Sequence, residues 1–125
     1  ALSVRNISLL LSRSPPMSNP LTTEAHGDAL VVRFTRPDVR NPLSADVIAA
    51  LNDVIESLSR ETERLIFTGS DGVFASGADL REVATLDAAV ARGFAELGQS
   101  LMNRISNLPV ITIAAVNGPC FGGAL

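Results

Sequence analysis

Seven consecutive residues, Val110-Ile111-Thr112-Ile113-Ala114-Ala115-Val116, carry no charge and only one hydroxyl. Pro109 precedes them and Asn117-Gly118 follows. The run is too short for most helices and rich in branched side chains, so it predicts a strand buried on both faces. A strand of that kind needs parallel neighbours, and parallel neighbours need helical crossovers. The segments before it have that form, and together they predict an α/β fold.

Leu21 to Glu24 and Ala29 to Phe34 read as two strands joined by a turn at His26-Gly27-Asp28. Pro37 ends the second, and Asp38 to Pro42 reads as a loop. Ser44 is placed to cap a helix in which Val47, Leu51, Val54 and Leu58 recur on one face, widened by Ile48 and Ile55. Arg64 to Thr68 is a short strand, and Gly69-Ser70-Asp71-Gly72 is a turn. Asp79 to Ala84 predicts one short helical turn. A longer helix follows, with Val90, Phe94, Leu97, Leu101, Ile105 and Leu108 on one face and Pro109 closing it. After the apolar run the chain turns on glycines and ends as a helix would begin. That pattern predicts a fold continuing past Leu125, because a further helix is needed to cover the sheet.

Composition removes several classes of function. Apolar residues make up 46% and charged residues 18%, which places the chain among globular proteins. The net charge is -3 and phenylalanine is the only aromatic type, so nucleic acid is not an expected partner. All ten basic residues are arginine, which excludes a lysine Schiff base within these residues. The one cysteine, Cys120, has no internal disulfide partner and suits a reducing compartment. It reads as a small buried hydrophobe, since the one histidine, His26, sits far away in a turn. No cluster of ligands predicts a metal. No apolar run approaches the roughly 20 residues that span a bilayer.

Residues 1–20 read as an extension, without fixed structure, outside the folded unit at 21–125. Residues 1–16 contain Arg5 and Arg13 and no acid, a composition compatible with mitochondrial targeting; otherwise a cytoplasmic location is expected.

The glycines narrow the chemistry. Gly118, Gly122 and Gly123 do not have dinucleotide-binding spacing, and no Lys-Ser/Thr follows to make a phosphate loop. The stretch Gly69 to Gly77 lacks the G-x-S-x-G of a serine nucleophile. Two small-residue turns remain, Ala75-Ser76-Gly77-Ala78-Asp79 and Phe121-Gly122-Gly123, each leading towards a helix. They are either two ordinary turns or a pair of backbone N–H donors for one oxygen. The second arrangement stabilises negative charge developing on a carbonyl. Small residues would be required there, because a side chain would block the approach.

Three stretches together resemble the enoyl-CoA hydratase/isomerase family, the crotonase-like enzymes. They are Asn41-Pro42-Leu43 after Arg36-Pro37, then Val73-Phe74-Ala75-Ser76-Gly77-Ala78-Asp79-Leu80-Arg81-Glu82, then Pro109 to Gly118 with Gly122-Gly123. The resemblance runs from about Leu21 to Leu125. It implies a crotonase-like spiral of ββα units, here without its C-terminal helices, assembled as a homotrimer or hexamer. It implies an acyl-CoA thioester as substrate, with CoA part of the substrate and no separate cofactor. The backbone N–H groups of Ala78 and Gly123 would hold the thioester oxygen. Arg40, Pro42, Ala75, Ser76, Asp79, Leu80 and Gly122 would fall against the CoA portion. Arg40 is either a phosphate contact or a solvated loop charge. Asp79 reads as a helix cap rather than a catalyst, and Glu82 and Glu96 read as solvated.

Three positions depart from the family pattern: Pro42 in place of a common alanine, the variable Pro119-Cys120-Phe121, and Ala124 where a third glycine is frequent. The carboxylates that hydratases of this family use would fall beyond Leu125. The expected function is therefore that of an enoyl-CoA hydratase or related isomerase or hydrolase. The alternative is an inactive fragment or a CoA-binding module without acid and base.

Overall fold

A computed structural model describes residues 19–125. The extension assigned to 1–20 thus falls almost wholly outside the described residues. Its last two residues, Asn19 and Pro20, accept hydrogen bonds from the Thr35 hydroxyl and the Thr35 N–H respectively.

Strands β1 (Leu21–His26) and β2 (Ala29–Phe34) form an antiparallel hairpin closed by Gly27 and Asp28. β1 extends two residues further than its periodicity predicts, so His26 ends the strand opposite Ala29 instead of sitting in the turn. There it lies 3.1 Å from the Glu24 carboxylate, with both side chains exposed. Strands β3 (Arg64–Thr68) and β4 (Ile111–Ala115) are added in parallel, giving the order β1-β2-β3-β4. The crossover from β2 to β3 contains a 3₁₀ turn (Pro37–Val39) and helix α1 (Ala45–Glu56). The crossover from β3 to β4 contains α2 (Leu80–Ala84) and α3 (Ala88–Ser106).

Pleating sends alternate side chains to opposite faces. Val32, Phe34 and Leu65 share the face that meets Val47, Ile48, Leu51 and Val54 of α1 and Leu101 of α3. This is the core, built from one sheet face and two helices that pack on each other, with Leu43, Phe74 and Ala75 added from the loops. Arg104 of α3 donates to the Asn52 side chain and lies 3.8 Å from the Glu56 carboxylate, both on α1.

Three expectations need correction. β4 is not buried on both faces: all five of its residues are exposed, because it is the outer strand of the sheet and Ile111 and Ile113 lie outside the core. Leu97 and Val90 share the apolar stripe of α3 yet are exposed, since that helix meets the core through Leu101, Phe94 and Ile105. Ser44 is the N-cap residue of α1, but its hydroxyl makes no capping bond. It donates to the Asp46 carboxylate, which in turn accepts the Val47 N–H at 2.9 Å. Among the described residues no helix is long and apolar enough to cross a membrane.

Candidate active site

The three parallel strands end at Phe34, Thr68 and Ala115, and the segments that leave them run side by side. In open α/β sheets that end of the strands is where ligands bind. Parallel bridges join Pro42 to Gly77 and Ala75 to Cys120. The Leu43 N–H donates to the Gly77 carbonyl (2.6 Å), and the Ser76 N–H to the Asn41 carbonyl (3.3 Å). The Ala75 N–H donates to the Pro119 carbonyl (3.3 Å), and the Phe121 N–H to the Ala75 carbonyl (3.2 Å). The residues around 42, 76 and 120 thus make a small parallel ladder beyond the main sheet.

This ladder brings together two turns that are far apart in sequence. Gly77 has φ +80°, and a Cβ on it would lie 2.9 Å from the Gly123 nitrogen and 2.9 Å from the Phe121 carbonyl. A side chain is excluded on both counts. At the base of the same loops, a side chain on Gly118 would run into the Gly72 carbonyl. Among the described residues no protein acceptor takes the N–H of Ala78 or of Gly123. Two small-residue turns therefore abut, each with an unclaimed backbone donor.

Asp79 is the N-cap residue of α2 and accepts the Arg81 N–H at 3.0 Å. Its carboxylate is occupied by the helix end, as a cap requires. Glu82 differs from its expected role. It is half-buried, and its carboxylate accepts the Ala45 N–H (3.4 Å) at the start of α1.

Arg40, Pro42, Ser76, Ala78 and Asp79 line one polar cleft of about 670 Å³, with Arg36, Arg81 and Glu82 at its walls. Gly123 and Ala75 line a separate apolar cleft of about 320 Å³, bounded by Phe34, Leu43 and Phe67. The donor pair stands between a polar cleft and an apolar one. Leu80 begins α2 at the edge of this region, and Gly122 turns the chain with φ +56° just before the second donor. Among the described residues Arg40 pairs with no carboxylate, whereas Arg36 lies 2.7 Å from Asp46. Partial burial acts to raise the Asp46 pKa. Hydrogen bonds from Ser44 and Arg36, the Arg36 charge and the Val47 N–H outweigh it and hold the carboxyl below the usual range.

One residue at the centre of this region has no signal in composition or periodicity. Asn41 is 2% exposed and has φ +47°, directly before a proline. Its amide donates to the carbonyls of Val73 and Phe74, both at 3.1 Å. Its side-chain oxygen accepts the Arg36 N–H at 2.7 Å. A second asparagine, Asn117, accepts the Gly69 N–H at 3.0 Å and ties the ends of β3 and β4 together. Both lie in stretches that carry the family resemblance, but their bonding role has no further hint than residue type, because asparagine tolerates left-handed backbone and carries both a donor and an acceptor.

Comparison with known proteins gives a consistent result. The family model described as enoyl-CoA hydratase/isomerase matches residues 24–125. An enoyl-CoA isomerase/hydratase of Zymoseptoria tritici is 36% identical over 105 residues, covering 79% of this chain and 34% of that protein. A short-chain-enoyl-CoA hydratase of Clostridium acetobutylicum is 33% identical over 108 residues, covering 84% of this chain and 41% of that protein. The crystal structure of an enoyl-CoA hydratase from Bacillus anthracis superposes with a TM-score of 0.80 at 26% identity, over 84% of this chain and 42% of that one. The chain spans between a third and a half of the length of these proteins.

Proposed function

The chain belongs to the enoyl-CoA hydratase/isomerase family, and on that premise we propose that it supplies the thioester-oxygen site of an enzyme acting on acyl-CoA. The N–H groups of Ala78 and Gly123 donate to the thioester carbonyl as negative charge develops on it. Donors fixed in advance stabilise an enolate more than a neutral carbonyl, and that difference lowers the barrier. The observation that carries this reading is the abutting of two turns in which, among the described residues, the N–H groups of Ala78 and Gly123 have no protein acceptor.

The polar cleft takes the CoA portion along Arg40, Pro42, Ser76 and Asp79; of the other residues that the family resemblance assigns to CoA, Ala75 lines the apolar cleft, and Leu80 and Gly122 belong to the backbone beside the two donors. Arg40, unpaired among the described residues, suits a phosphate there. Asp79 and Glu82 are already engaged with helix ends, so neither is assigned the proton transfer. We read the reaction as hydration or isomerisation of an enoyl-CoA in a trimeric or hexameric protein. The unpaired Cys120 suits a reducing compartment such as the cytoplasm.

The test is Ala78→Pro in the full-length protein, which deletes one donor. With the fold intact by circular dichroism, kcat is expected to fall by about 10²–10³. Full activity in a folded Ala78→Pro protein would show that the Ala78 N–H does not hold the oxygen.

A further inference from the structure

Two carbonyls in the loop that carries the first donor are held by one side chain from another loop. Residues 73–77 lead from the turn after β3 to Ala78. Their course is set at Val73 and Phe74, whose carbonyls both accept from the Asn41 amide. The same asparagine binds its own loop, because its side-chain oxygen accepts the Arg36 N–H and its own N–H donates to the Arg36 carbonyl at 2.8 Å. Its carbonyl receives the Ser76 N–H. Ala75, one residue beyond Phe74, is bonded to Pro119 and Phe121, which precede the second donor. A continuous set of bonds thus runs from Asn41 to both donors.

The backbone of Asn41 is left-handed in a position crowded by Pro42. Backbone held in a sparsely populated region is kept where the surroundings over-determine it, and such residues gather at functional sites. Every side-chain donor and acceptor of this buried amide has a partner on a loop of the site.

We propose that Asn41 is a positioning residue for the thioester-oxygen site: its side chain fixes residues 73–77 and through them places the Ala78 N–H beside Gly123. The proposal rests on the reading of Ala78 and Gly123 given above. Asn41 itself touches no substrate. Its loss loosens a donor that matters most when charge develops, so the effect falls on kcat rather than on KM.

The experiment compares Asn41→Gly, Asn41→Asp and Ala78→Pro in the full-length protein. Glycine accepts the left-handed backbone and removes only the side chain. Aspartate keeps the size and the acceptor for Arg36 but offers nothing to the two carbonyls, and it serves where Asn41→Gly does not fold. Each Asn41 variant is expected to lose about 10- to 100-fold in kcat with KM changed less than about threefold, a smaller loss than removal of a donor. The infrared carbonyl stretch of a bound, non-reacting acyl-CoA thioester is expected to move towards its value in water. A merely structural role would lower thermal stability and leave that frequency in place. Wild-type kcat in Asn41→Gly, or a loss confined to KM, beside an inactive Ala78→Pro overturns the positioning role alone. An active, folded Ala78→Pro overturns the oxygen-site reading and the positioning role with it.

Discussion

Asp46 shows how a short-range set of partners can outweigh burial. Its carboxylate meets the Ser44 hydroxyl, the Val47 N–H and the Arg36 guanidinium, which reaches forward from the start of the loop after β2. Burial acts to raise its pKa, and these partners together leave it lowered from 3.8. A carboxyl with a depressed folded value contributes stability that is present above its unfolded pKa and is lost as pH falls through the folded one. Asp46→Asn lacks that contribution at every pH. At neutral pH its urea midpoint is expected to lie below that of the wild type. The gap is expected to narrow as pH drops below 3.8. A gap of constant size down to pH 3, on the order of one unit below an ordinary carboxyl pKa, would mean that the charge has no part in it. Ser44 was legible as a cap position from its type and place. The rerouting of that cap through Asp46 was not, because both residues are good helix starters and only the rotamers decide between them.

At the scale of elements, the periodicities specify which face of a strand or helix is apolar but not what covers it. α3 carries one apolar stripe, yet Leu101 is 1% exposed and Leu97 is 57% exposed. α3 meets α1 around Asn52 and Arg104, and the flank of the stripe with Phe94, Leu101 and Ile105 is covered while the flank with Val90 and Leu97 is not. β4 follows the same logic: its seven-residue run reads as interior, but it is the outer strand here and Ile111 is 61% exposed. The site has a similar division. The two turns were legible as small-residue segments, and their order and spacing carried the family resemblance. Their contact was not readable from local pattern, because it depends on β3 and β4 pairing in register across a crossover of two helices. Asn41 stood in a stretch that carried the resemblance, but its bonding role was not readable for the same reason, since the acceptors of its amide lie about thirty residues on. The contrast within α3 is measurable in the 125-residue chain. Leu101→Ala empties a fully packed site and is expected to cost about 2–5 kcal/mol by urea denaturation. Leu97→Ala removes an exposed side chain and is expected to stay within about 0.5 kcal/mol. Equal losses would mean that the stripe is uniformly buried after all.

At the scale of the whole molecule, the fold is crotonase-like over the portion present, and that portion is less than half of the Bacillus anthracis hydratase chain it superposes on. The consequence lies at the open side of the sheet. Among the described residues no strand pairs with the outer edge of β4, and that edge is neither short of apolar groups nor charged. Ile111 and Ile113 of β4 are exposed beside unpaired backbone, and Val116 and Phe121 are exposed in the segment that follows the strand. β1, the opposite edge, differs: it carries Glu24 and His26 and is mostly polar. Natural edges are blunted by charge, and an apolar edge is a template for another chain. The 125-residue chain on its own is therefore expected to associate through β4. Its sedimentation coefficient should rise with concentration, and Ile111→Lys together with Ile113→Lys should suppress that rise while the circular dichroism spectrum is kept. These two positions point away from the core, so lysine there charges the edge without touching the packing against α1 and α3. A chain that sediments as a monomer at every concentration would show that β4 is not adhesive. Association that the lysines leave untouched would move the contact to the exposed flank of α3, where Val90 and Leu97 lie.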